Sequence, residues 1–118
     1  MAVVEDVLAF QARLRLTLQN AANPISYGAL ARDLDVPGPG AIARIAAALE
    51  AMMQEDMASG RPFLAAMCQG KLSGGMPALG FFQMASALGR YDGPATGLKA
   101  AAFVEEQRDL LAHMANGH

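Results

Sequence analysis

The sequence predicts a mainly α fold: a winged helix-turn-helix-like core with a small β-hairpin, flanked by N- and C-terminal helices. Three observations predict it. Apolar residues recur at spacings of three and four through several Ala-rich stretches, the mark of helices with one buried face. The stiff turn Val36-Pro37-Gly38-Pro39-Gly40 joins two of those stretches, as in a helix-turn-helix. A short apolar run from Pro62 then meets a glycine-rich loop, as in a hairpin.

The first helix is expected over residues 3–20, with Val3, Val4, Val7, Leu8, Phe10, Leu14 and Leu18 facing inward. Glu5 and Asp6 fall in its first turn, where the helix dipole favours negative charge. Pro24 closes it, because residues before proline avoid the helical region. Ser26 is a good N-cap for a short helix over 27–34, with Tyr27, Leu30, Ala31 and Leu34 on one side. A longer helix is expected over 39–57, with Pro39 in its first turn and Ile42, Ile45, Ala46, Leu49, Met52 and Met53 inward. Ser59-Gly60 breaks it.

Residues 62–68 then read as a strand, 69–75 as a hairpin tip or wing, and 75–79 as a very short return strand limited by Pro77. A helix follows over 77–88 and another over 96–114, the latter with Leu98, Ala101, Ala102, Val104, Leu110 and Leu111 available to pack. A chain of 118 residues is one domain, in three sections: 1–20, 25–75 and 77–114. A core of this size needs neither disulfide nor metal.

Composition narrows the function. The net charge is −2, whereas duplex binders usually carry an excess of Lys and Arg, and no basic run is present. Cys68 is the sole cysteine, which excludes an intramolecular disulfide and suits a reducing cytoplasm. The acidic start lacks the basic and long apolar regions of a secretory signal, and no run approaches the ~18 apolar residues of a membrane span.

In a helix-turn-helix the start of the second helix meets the DNA. Here that start is Gly38, Pro39, Gly40, Ala41 and Arg44, and only Arg44 can read a base edge or hold a phosphate. Lys71, in the loop Gly70-Lys71-Leu72-Ser73-Gly74, would be a point charge on a wing. The loop lacks P-loop spacing. The alternatives are a helical hairpin used for packing or protein contacts, and a plain exposed turn. Cys68 would need a base to act as a nucleophile, and His113 and His118 lie far along the chain. A buried structural thiol is expected. One Cys and two distant His do not make a metal site, and no carboxylate pair suggests acid–base chemistry. The many methionines are read as core filling, with a Met-lined interface as the alternative.

Three segments carry a resemblance: Ile25-Ser26-Tyr27-Gly28-Ala29-Leu30-Ala31, then 41–49, then Pro62-Phe63-Leu64 with a Gly-containing hairpin. Together they resemble the C-terminal domain of the O6-alkylguanine-DNA alkyltransferases and alkyltransferase-like proteins. The likeness covers about 50 residues in short, apolar motifs. A further resemblance, extending to Phe82, is to small bacterial proteins of unassigned activity with an ITYGELA-like start and a Gly-Phe-Phe segment. The first resemblance implies a winged-helix fold, and a phosphate contact from Tyr27. The family's nucleophile position falls on Met67, or on Cys68 after a one-residue slip. Gln69-Gly70 follows in place of the family's His-Arg, so alkyl transfer is not expected. The family's recognition-helix arginine falls on Ala43. Arg44 stands beside it, about 100° further around the helix.

The expectation is a non-catalytic, winged-helix-like DNA-binding module without cofactor. Tyr27, Arg44 and Lys71 would contact the backbone, helped by Arg32 or Arg61. The alternative is a protein-interaction module or homodimer that has lost the DNA surface.

Overall fold

The computed structural model describes residues 7–71 and 74–116. Its described elements are α1 (Val7–Gln19), β1 (Ile25–Ser26), α2 (Tyr27–Asp33), α3 (Ala41–Ala58), a 3-10 turn (Leu64–Met67), β2 (Cys68–Gln69), α4 (Leu79–Ala87) and α5 (Gly97–Asn116). The fold is mainly α, as expected. Helix α3 is central and packs against α1, α2, α4 and the 3-10 turn, while α5 covers the same turn from another side.

The local signals behind the helices are visible. Ser26 caps α2, its hydroxyl accepting from the Ala29 N–H at 3.1 Å. Helices α2, α3 and α4 end alike. Each closes with a backbone bond from two residues beyond the C-cap: Val36 to Ala31, Arg61 to Asp56, and Arg90 to Ala85. The residue between must turn left-handed. Gly60 and Gly89 do so at φ 69° and 83°, and Asp35 does so at φ 54°. Helix α3 begins at Ala41 after Gly40, so Pro39 precedes the helix instead of sitting in its first turn.

The core is aliphatic on one side and aromatic on the other. Phe10, Leu14 and Leu18 of α1 meet Leu30, Leu34 and the α3 face Ile45, Leu49, Met52 and Met53. Phe63, Phe81, Phe82, Tyr91 and Phe103 form one ring cluster with centroids 4.7–6.5 Å apart. Met52 and Met53 are buried, and Met57, Met67, Met76 and Met84 pack against the core, so these methionines fill gaps in it.

Helical periodicity overreached at the helix starts. Val7, Leu8, Ile42 and Leu98 each lie in the first two residues of a helix and are exposed. Leu8 is also about 200° around the helix from Phe10. Ala101, Ala102 and Leu110 of α5 likewise face outward, and its buried stripe is Ala100, Val104 and Gln107. Val3 and Val4 lie outside the described residues.

The expected hairpin is replaced by a different pairing. β2 pairs with β1, in parallel, with Ile25 opposite Cys68 and Ser26 opposite Gln69. Parallel neighbours need a long crossover, and α2, α3 and the 3-10 turn supply it. Residues 62–67 form no strand because their backbone groups are taken by side chains from other elements. Phe63 N–H donates to Gln107 Oε1 at 2.8 Å, Leu64 N–H to Asp56 Oδ2 at 3.1 Å, and Arg108 Nε donates to the Ala66 carbonyl at 2.8 Å. A backbone bond from Gly70 N–H to Met76 O closes the base of the glycine-rich loop. Leu72 and Ser73 lie outside the described residues, and residues 75–79 contain no strand.

Candidate functional site

Each expected contact residue has a definite environment. Arg61 follows α3 and is committed to the fold: its Nε binds Asp56 Oδ1 at 3.1 Å and its carbonyl accepts from Arg90. Arg44 is in the first turn of the same helix, so about 20 Å of helix separates the two. The fold therefore does not bring Arg61 to Arg44. The Arg44 guanidinium lies 4.2 Å from the centroid of the Phe10 ring, a cation–π contact that fixes its direction while leaving it exposed and without a carboxylate partner among the described residues.

Arg32, Tyr27 and Lys71 belong to one end of the two-stranded sheet. The strands run the same way and Ser26 is opposite Gln69, so the residues following each strand leave from the same end. Tyr27 and Gly28 start α2 there, and Gly70-Lys71 starts the glycine-rich loop there. Arg32 reaches back toward that end: its Nη1 lies 3.7 Å from the point a Gly28 Cβ would occupy. Arg32 and Lys71 are exposed and make no hydrogen bond or ion pair within the described residues.

Tyr27 is half-buried and faces a narrow cleft shared with Glu50, Ala65, Cys68 and Pro77. Burial, then the neighbouring Cys68 and Glu50, push its phenol pKa up to about 12. The phenol thus remains a neutral hydrogen-bond donor. Burial also pushes the Cys68 thiol up to about 12, so the sulfur stays protonated and unreactive.

The remaining basic residues serve the fold. Arg13 donates to the Leu34 carbonyl. Arg90 lies over Phe63 and bonds the Arg61 carbonyl, Lys99 stands over Tyr91, and Arg108 ties Ala66 to Gly75. Arg15 bridges Glu55 at 3.1 Å and Asp56 at 3.0 Å.

The centre of that last cluster was not anticipated. Asp56 is 1% exposed, yet its carboxylate is satisfied by Arg15, Arg61 and the Leu64 N–H. Its signal in the sequence was positional. Asp56 continues the apolar stripe of Leu49, Met52 and Met53, so a charge falls where the helix faces inward. Beside this cluster runs a groove of about 660 Å³ between the end of α1, residues 61–67 and the end of α5. Its walls are mostly apolar, and Arg15, Arg61, Arg108 and Asp56 contribute the charge.

No helix among the described residues is long and apolar enough to cross a membrane, and none of their His, Cys, Asp and Glu side chains group as metal ligands. No protein-family model matches the chain, and searches of curated proteins and of solved structures find no match.

Proposed function

We propose that this chain is a non-catalytic, winged-helix-like module that holds nucleic acid by its phosphates, weakly and without base readout. The observation that carries the reading is that Arg32 and Lys71, two cations without partners among the described residues, belong to the same sheet end, where α2 begins. Tyr27 offers a neutral donor beside them, and Arg44 adds a fourth contact at the exposed start of α3. That start has no side-chain cap, which leaves backbone N–H groups open to an anion. Arg61 is not part of this set, since Asp56 holds it. Winged-helix character rests on the α2–turn–α3 unit and on the loop carrying Lys71 leaving beside α2.

Three cations release few counterions, so the binding constant should fall with salt at a log–log slope of about −2 to −3. Fluorescence anisotropy with duplex and single-stranded DNA at low salt checks this. Binding should be indifferent to sequence and lost in a triple R32A/R44A/K71A variant. A flat titration of the unaltered protein rejects the reading.

A second reading, a homodimer or protein-interaction module, is favoured by a specific surface. Leu8 and Leu16 are 74% and 59% exposed and lie on one ridge of α1. Light scattering after size exclusion tests it: a dimer that Leu16→Glu converts to monomer supports this reading, and a strict monomer at high concentration counts against self-association.

A further inference from the structure

The groove between α1, residues 61–67 and α5 has a use the nucleic-acid reading does not touch. At about 660 Å³ it matches the usual size of a small-molecule site and is too small to bury a helix of several turns. Its body is apolar, with Leu18, Leu64, Met67, Leu111 and Ala112 among the lining side chains. Its charge is unbalanced. Three guanidiniums line it against one carboxylate, and with Glu55 beside Arg15 counted, one positive charge still has no counter-ion among the described residues.

The donors are also incompletely used. Arg61 spends only its Nε, on Asp56, and both its terminal nitrogens are without a hydrogen-bond partner among the described residues. Arg108 spends Nε and one terminal nitrogen on the Ala66 and Gly75 carbonyls, which are neutral groups, and its other terminal nitrogen is unclaimed. An apolar trough with underused guanidinium donors at its wall is complementary to an apolar molecule ending in a carboxylate.

We infer that this groove binds an apolar carboxylic acid, its hydrocarbon part against the apolar walls and its carboxylate on the terminal nitrogens of Arg61. The charge sets the preference: the matching alcohol fills the same trough but cannot form the charge-assisted bonds, and the matching amine meets repulsion.

Isothermal titration of the full chain with dodecanoate, dodecanol and dodecylamine, each below its micelle or solubility limit, tests this. Dodecanoate should bind saturably at one site, about tenfold or more tighter than dodecanol. Arg61→Gln should weaken dodecanoate by about tenfold and leave dodecanol unchanged. Ala112→Trp, at an exposed α5 position on the groove wall, should abolish binding of both while the circular dichroism spectrum stays the same. Because Arg61 also holds Asp56, the Trp variant decides the matter if R61Q fails to fold. The proposal is overturned by absence of saturable dodecanoate binding, by equal affinity for the alcohol or amine, or by full binding in A112W. It is equally overturned if an acidic amphipathic peptide binds, is blocked by A112W and is not displaced by dodecanoate, since the occupant would then be a protein segment.

Discussion

Asp56 shows how a single charged residue on an apolar helix stripe can organise a fold. Its carboxylate accepts from Arg15 and Arg61 and from the Leu64 backbone, linking α1, the end of α3 and the 3-10 turn. Removing it leaves a buried N–H without a partner, Arg61 without its carboxylate and Arg15 with Glu55 alone. Asp56→Ala should cost about 3 kcal/mol, and Asp56→Asn roughly half, because the amide oxygen can still accept from Leu64. Urea denaturation measures both, and a loss below about 1 kcal/mol for the alanine variant contradicts the account. Cys68 gives the other residue-scale prediction. Its pKa rises from the usual 9 in the unfolded chain to about 12 in the fold, so above pH 9 the unfolded state binds fewer protons. The stability this thiol contributes is complete below pH 9 and declines as pH climbs toward 12, by up to about 1.4 kcal/mol per pH unit. Tyr27 adds the same sign above pH 10. Urea midpoints at pH 8 and pH 10.5 should differ clearly in the natural chain and by less in Cys68→Ala. A thiol-reactive probe should label native Cys68 far more slowly than the unfolded chain. That Cys68 would be buried was legible from its apolar neighbours and the lack of a nearby histidine. That Arg61 would be consumed was not, because its partner Asp56 belongs to a helix face that packs only in three dimensions.

At the scale of elements, the helices were legible because their signals are local. Ser26, the proline-rich turn, Gly60 and Gly89 each act within a few residues. The strand pairing was not, because what decides it is distant. Gln107 and Arg108, about 40 residues downstream, claim the backbone of residues 63–66 and leave only Cys68 and Gln69 to pair. An apolar run after a proline looks the same whether its N–H groups go to a neighbouring strand or to a helix side chain. The three helix ends provide a controlled comparison. The same left-handed position is filled by glycine after α3 and α4 but by Asp35 after α2. An L side chain pays roughly 1 kcal/mol there relative to glycine, with aspartate among the better tolerated. Gly60→Ala and Gly89→Ala should therefore each lower stability by about 1 kcal/mol, although a Cβ at either position meets no atom within 4 Å. Asp35→Gly should be neutral to slightly stabilising. Thermal melts of the three variants check this, and a stabilised Gly60→Ala would show that the backbone angle is not what the glycine supplies.

Over the whole molecule, the question is whether the sections at 1–20, 25–75 and 77–114 fold separately or together. The aromatic cluster argues that they fold together. Phe63 comes from the middle section, Phe81, Phe82 and Tyr91 from the third, and Phe103 on α5 touches Phe63, Phe81 and Tyr91. The polar contacts point the same way: α5 reaches the 3-10 turn through Gln107 and the glycine-rich loop through Arg108, while α1 reaches α3 through Arg15. A helix-turn-helix with no such ties could be trimmed to its recognition unit. Here, loss of α5 removes the buried Ala100 and Val104, strips Phe103 from three rings, and leaves the Phe63 N–H and the Ala66 carbonyl without partners. Together these are comparable to the roughly 5–15 kcal/mol that holds a domain of this size. The full chain should unfold in one cooperative transition, with the same midpoint by far-ultraviolet circular dichroism and by tyrosine fluorescence. A chain ending at residue 96 should retain some helix, bind a hydrophobic dye and show no cooperative melt. A sharp transition in that fragment, within a few degrees of the full protein, would mean that α5 is an appendage and that the core closes without it.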